Sequence, residues 1–150
     1  MKPLTKSAEG KHFAAAHAGA WKDLREQGFV HPKLGPVKCK LFLQKALGLT
    51  SMEVSLNLLP PGAGLPFYHR HREHEELYVF VGGRGRFQVD DQTLDVREGT
   101  VIRVSPEGER TWRNNSAENL YYVVVQARAG SITADATTDG VGVERPVVWP

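Results

Sequence analysis

His69, His71 and His74, half of the chain's six histidines, fall within six residues, interleaved with Arg70, Arg72 and Glu73 and followed at once by Glu75 and Glu76. In an extended segment side chains alternate between faces, so imidazoles at i and i+2 point the same way. A carboxylate at the start of the next apolar run, Glu76-Leu77-Tyr78-Val79-Phe80-Val81, can swing onto the same spot. Two imidazoles and a carboxylate meeting at one point make a site for a divalent transition metal. Glu76 is preferred to Glu75 because it shares strand phase with Tyr78 and Phe80, which leaves Glu75 as its solvent-side neighbour. His74 is placed in the bend between strands, exposed, with substitute ligation as its alternative. Three ligands on one face leave up to three positions of an octahedral ion open, the arrangement used in non-haem iron(II) chemistry. Manganese, zinc or nickel would accept the same donors.

Those residues need strands to carry them. From about Val37 the chain reads as short strands separated by turn residues. Val37, Cys39, Leu41 and Leu43 alternate with Lys38, Lys40 and Phe42, and Met52, Val54, Leu56 and Leu58 with Glu53, Ser55 and Asn57. Pro60-Pro61-Gly62-Ala63-Gly64 is a rigid loop delivering the histidine segment. Gly82-Gly83-Arg84-Gly85 reads as a tight turn, with Phe87 and Val89 on the partner strand. Asp90-Asp91-Gln92, Glu98-Gly99, Pro106-Glu107-Gly108 and Asn114-Asn115-Ser116 are further turns before a last strand, Leu120-Tyr121-Tyr122-Val123-Val124-Val125. Strands at such short intervals predict an antiparallel sandwich or barrel. A helix is expected between Ala14 and Arg25, ended by Gly28. The expected organisation is an N-terminal extension over 1–36, a barrel over 37–128 and a tail over 129–150. That tail ends in the apolar Pro146-Val147-Val148-Trp149-Pro150, which is expected to dock on the barrel.

At 150 residues, 41% hydrophobic and 24% charged, the chain suits one globular domain. A net charge of +2 without a basic, aromatic-interleaved stripe speaks against nucleic acid. Cys39, the single cysteine, excludes an internal disulfide and a zinc–thiolate cluster, and a reducing cytoplasmic setting is expected. Residues 1–7 lack a signal-peptide pattern, and no apolar run reaches the length of a membrane span. Cys39 has no neighbouring histidine and there is no G-x-S-x-G elbow, so nucleophilic catalysis has no local support.

The histidine segment resembles the first motif of the cupin superfamily: His69-x-His71, four residues, Glu76, six residues, Gly83. The glycine that opens that motif falls at Ala63, flanked by Gly62 and Gly64. The stretch from Gly99 resembles the second motif through Pro106-x-Gly108 and a following asparagine, but the third histidine expected there is missing. Either Arg110 or Thr111 takes its place, and no histidine follows His74. Neither side chain is a useful ligand.

The resemblance implies an all-β jelly-roll barrel of antiparallel strands with a small-molecule pocket at its mouth, and extensions that pack across a homodimer. By strand phase Tyr78, Phe80 and Gln126 would line that pocket. An inward Arg110 would offer a fork for a carboxylate or phosphate. Two readings stay open. One is a metal-dependent enzyme of dioxygenase, isomerase or decarboxylase type, acting on an organic acid, sugar or phenolic compound. The other is a non-enzymatic binding or sensor barrel with a structural or absent metal. A metal-free epimerase-like site using His71 or Tyr78 for proton transfer is a third, weaker idea.

Overall fold

In a computed structural model of the chain, residues 4–150 are described; 1–3, the start of the stretch read as lacking a signal peptide, lie outside them. The elements in order are β1 (Lys6–Gly10), β2 (Phe13–Ala16), a 3-10 turn (Trp21–Glu26), β3 (Gly28–His31), β4 (Gly35–Lys38) and β5 (Lys40–Phe42). Then come α1 (Gln44–Leu47), β6 (Met52–Leu59), β7 (His74–Gly82), β8 (Arg84–Val89) and β9 (Gln92–Arg97). The chain closes with β10 (Val101–Val104), β11 (Arg110–Arg113), β12 (Leu120–Arg128) and the single turn α2 (Ala136–Asp139). Five strands in the order β10-β7-β12-β6-β5 make the larger sheet and β11-β8-β9 the smaller, with every pairing antiparallel. This is the expected jelly-roll arrangement of two facing sheets.

Period-2 alternation builds the core. Tyr78 and Phe80 of β7, Tyr122 and Val124 of β12, Phe87 of β8, Val96 of β9, Val104 of β10 and Trp112 of β11 all point between the sheets and are buried. Trp112 stacks on Phe87, 5.7 Å between centroids and 7° between planes. Its Nε1 donates to the Tyr122 hydroxyl at 2.9 Å, so the one polar atom of the indole is satisfied. At Asp90 and Asp91, φ is 45° and 66°, the two positive values that a two-residue type I′ hairpin between β8 and β9 requires.

Four expectations change. The Gly82–Gly85 run is not a hairpin, because β7 pairs with β10 and β12 while β8 pairs with β9 and β11. The chain passes from one sheet to the other at Gly83, where φ is +83° and a Cβ would lie 2.1 Å from the Asn119 carbonyl oxygen. The expected helix between Ala14 and Arg25 is also absent. Its start is β2, Gly19 takes a φ of +82°, only the 3-10 turn follows, and Gly28 opens β3 instead of ending a helix. That turn sets Leu24, 1% exposed, against Leu41 and Leu58 on the outer face of the large sheet.

The strand read from Val37 to Leu43 breaks at Cys39, whose φ is 63°. β4 pairs with β3, and β5 alone joins β6. Leu41 therefore packs outward on Leu24, and Lys40 and Phe42 turn to the inner face opposite Asn57 and Ser55. Every residue from 131 to 150 is exposed, Trp149 at 87%, so the docking expected of the tail is not made within a single chain. Among the described residues no helix is long and apolar enough to cross a membrane.

Candidate metal centre

The histidines ride on a segment laid along β11. Gly64 bridges to Arg113, close enough that a Cβ on Gly64 would sit 2.8 Å from the Arg113 Cβ. Leu65 N–H donates to the Trp112 carbonyl at 3.1 Å, His69 and Arg110 exchange backbone bonds at 3.1 and 3.0 Å, and His71 N–H reaches the Pro106 carbonyl at 3.0 Å. The segment is thus extended, as the i, i+2 reading requires, but held by isolated bridges instead of a regular strand. The two imidazoles stand edge to face with centroids 5.7 Å apart, and Trp112 walls His69 at 5.7 Å.

From β7, Glu76 points inward and is 6% exposed, with Tyr78 and Phe80 in the same phase. One ligand atom each from His69, His71 and Glu76 lies within 4.8 Å of the others. His71 Nε2 is 3.2 Å from Glu76 Oε1, and His69 Nε2 is 3.9 Å from Oε2. His69 Nδ1 and His71 Nε2 are buried without a hydrogen-bond partner among the described residues. Orphaned nitrogens of this kind cost about 1–3 kcal/mol each, and a cation removes that cost. The donors fit a divalent metal ion: imidazole nitrogen and carboxylate oxygen, gathered on one face.

Arg110 completes the cluster in an unexpected way. It points inward and is 0% exposed, so it, and not Thr111, stands where the second-motif histidine belongs. Its Nη2 and Nε donate to Glu76 Oε2 at 2.6 and 3.2 Å, its Nη1 to the Gly108 carbonyl at 2.8 Å, and its Nε approaches the Tyr78 hydroxyl at 3.4 Å. The Tyr78 hydroxyl also donates to Oε2. Oε2 is therefore taken and Oε1 is left for an ion. The guanidinium is fully engaged, so it is not the free anion fork that the sequence suggested.

Burial pulls His69 down to about 4, with the Arg110 charge acting in the same direction, so its ring is neutral at pH 7. For Glu76 burial pushes upward, but the close His71 ring, the Tyr78 and Arg110 hydrogen bonds and the Arg110 charge outweigh it and bring the carboxyl to about 2. Burial, then Glu76, raises Tyr78, whose proton stays in place. His69 and Glu76 are thereby held in the protonation states that bind a metal ion.

A pH dependence follows. Between about 6.5 and 4 an unfolded His69 takes a proton that the folded one refuses, so stability falls as pH drops through that window, by up to about 3 kcal/mol. Glu76 contributes stability that is full above about 4.5 and is lost as pH falls towards 2. Urea midpoints of chelator-treated protein at pH 7, 5.5 and 4 should show the first drop, and His69→Gln should flatten it. An unchanged slope in that variant would refute the assignment.

The remaining sequence candidates divide. Glu75 faces outward and pairs with Arg103 at 2.8 Å. His74 is not exposed in a bend but half-buried at the head of β7, its Nδ1 2.8 Å from Gln126 Nε2. Gln126 lies on the inner face opposite Glu76. Phe80 is one strand repeat too deep to line a pocket and packs in the core against Tyr122 and Phe87. Thr111 alternates to the other face, its hydroxyl donating to the Leu65 carbonyl at 3.3 Å. Asn114, in phase with Arg110, is 1% exposed and ties the following turn through Leu59 and Glu118 carbonyls. Lys40, which alternates in sequence with the apolar Cys39 and Leu41, lies on the inner face in the same phase as Phe42.

The family model for the Cupin domain matches residues 56–126, which contain every residue of the cluster. A crystal structure of a cupin protein from Bacteroides fragilis is 36% identical, covering 69% of this chain and 88% of that one, with a TM-score of 0.67. A Cupin 2 conserved barrel domain protein from Salinispora arenicola shares the fold at 18% identity, covering 70% and 84% of the two chains, TM-score 0.57. So does a sugar phosphate isomerase from a cupin superfamily from Silicibacter pomeroyi, at 23% identity with 68% and 69% covered, TM-score 0.57. A search of curated proteins finds no match.

Proposed function

The chain belongs to the cupin superfamily, and from that premise we propose that it binds one divalent metal ion through His69, His71 and Glu76 and acts on a small organic molecule. The observation that carries this reading is His71 Nε2, buried without a hydrogen-bond partner among the described residues and 3.2 Å from Glu76 Oε1, with His69 Nε2 3.9 Å from Oε2 of the same carboxylate. When bound, a divalent ion supplies Lewis acidity to a coordinated oxygen of the substrate. Dioxygenase, isomerase or decarboxylase chemistry on an organic acid, sugar or phenolic compound all fit such a centre, since this fold hosts many reactions.

The chain's own residues divide the remaining work. Arg110 and Tyr78 fix the Glu76 carboxylate through Oε2, so its free oxygen keeps one orientation. Trp112 gives His69 an apolar wall that limits water on that side. Tyr78 is fully buried and its hydroxyl is committed to Glu76, which weighs against the epimerase idea with Tyr78 as proton donor. We also expect a homodimer in the cytoplasm. The outward Leu77, Val81 and Val101 of β7 and β10 and the apolar tail favour a second copy over bulk water.

Metal analysis tests the central claim. Protein loaded with iron(II), manganese or zinc and then desalted should retain close to one ion per chain, and His69→Ala with His71→Ala should retain essentially none. Equal content in both would end it. The binding-barrel alternative draws on the Arg110 guanidinium standing where a fourth ligand would be. It expects ligands that raise the melting temperature without turnover and without regard to metal.

A further inference from the structure

The register of the small sheet gathers on its outer face four arginines that are dispersed in the sequence. Phe87, Val96 and Trp112 point into the core, so Arg84, Arg86, Arg97 and Arg113, in the alternate phase, point away from it and are exposed. Arg86 of β8 stands directly opposite Arg113 of β11, and Arg84 of β8 directly opposite Arg97 of β9. Like charges set across from one another are unfavourable, and here two such pairs occupy successive outward positions of β8. Asp95 relieves Arg86 through a 3.1 Å contact to its Nε. Arg84, Arg97 and Arg113 make no ion pair among the described residues.

This face also carries a hollow of about 530 Å³, within the size range of small-molecule sites. Its floor is the row Thr93–Gln88–Thr111 and, beside it, the Arg86–Arg113 pair; its wall is the segment 65–68 that leads to His69. The Tyr68 hydroxyl donates to Gln88 Oε1 at 2.5 Å, which holds the phenol ring over the floor and leaves the donor end of that amide for a ligand. Phe67 and Tyr68 are 38% and 54% exposed, two aromatic faces left to water. Guanidinium, amide and hydroxyl donors dominate the lining, so the fitting occupant is anionic and rich in acceptors. Arg110 and Glu76 lie on the opposite face of β11 and inside the barrel, so this hollow is separate from the metal centre.

We propose that the hollow is a second ligand site, one that takes a nucleoside diphosphate with its base against Tyr68 and Phe67 and its phosphates on the arginine pairs. The planar guanidinium fork matches phosphate oxygens two at a time. Aromatic faces accept a base by stacking. The two arginine pairs are about 7 Å apart along β8, a span that linked phosphoryl groups and their outer oxygens can bridge. A single carboxylate would engage one pair and a neutral sugar neither.

The probes are ADP, adenosine, pyrophosphate and a single-stranded DNA oligonucleotide, titrated calorimetrically into full-length protein in excess chelator. Parent protein and the His69→Ala plus His71→Ala variant should bind ADP alike, since the barrel interior takes no part. Arg113→Gln, and Arg84→Gln combined with Arg97→Gln, should each weaken ADP at least about tenfold. Their melting temperatures without ligand should equal or exceed the parent's, because each removes a like-charge pair. Tyr68→Ala should weaken ADP and leave pyrophosphate unchanged, and adenosine should bind weakly and alike throughout. No ADP binding, pyrophosphate as tight as ADP, indifference of ADP to Arg113, or tighter binding of the oligonucleotide would each overturn the assignment. Loss of ADP binding in the double-histidine variant would overturn it too, by moving the ligand into the barrel. Metal retention by the arginine variants is expected to match the parent's, so failure here leaves the reading of the His69–His71–Glu76 cluster standing.

Discussion

Arg110→Met should cost the metal-free protein about 3–5 kcal/mol, read as a large fall in its urea midpoint at pH 7. Arg110 is wholly buried, and its two donors bring a full positive charge against Glu76 Oε2, in a carboxylate that is itself 6% exposed. Methionine matches much of its volume but leaves that carboxylate without a counter-charge and frees the Gly108 carbonyl that Nη1 satisfied. A buried pair adds little over an apolar replacement, whereas breaking one partner away is expensive. The double variant Glu76→Gln with Arg110→Met should therefore be more stable than Arg110→Met alone, since it strands no charge. A single variant within about 1 kcal/mol of the parent would mean that the pair is not formed in solution.

How much of this was legible in the chain depends on the range of the interaction. His69, His71 and Glu76 could be read together because strand phase is a local property, and Glu76 separates from Glu75 by the same rule. Phase also put Tyr78 and Phe80 on the inner face. It says nothing of depth, and a two-residue step along β7 takes Phe80 from the site into the core. Local letters failed where one dihedral reverses a phase. The positive φ at Cys39 flips Lys40 from the solvent side to the interior, and cysteine is not a residue that announces such a turn. Gly83 was legible as a turn, but a turn does not specify which sheet receives the chain. The Arg110–Glu76 pair spans 34 residues of sequence and depends on both sheets being in place, so spacing left Arg110 and Thr111 equally eligible.

Arg110→His should raise the affinity for zinc or manganese at least about tenfold, or about 1.4 kcal/mol, in competition with a chromophoric chelator. Position 110 is bridged directly to His69, and opposite residues of an antiparallel pair hold their Cβ atoms about 4.5–5.5 Å apart. A histidine there would project its ring into the space now filled by the guanidinium, beside His71 and Glu76. Two gains follow from the one change. The site acquires a fourth neutral donor, and Glu76, no longer cancelled by Arg110, brings a full negative charge to the ion. The loss of the ion pair makes the empty variant less stable, so metal should also restore more of its urea midpoint than of the parent's. The same reasoning explains what the native arginine does. On the proposed metal-site reading, it would keep one more position of an ion open and weaken the protein's own hold on it. Unchanged affinity in Arg110→His would show that the guanidinium does not stand in a ligand position, and the three-ligand centre would lose its geometric basis.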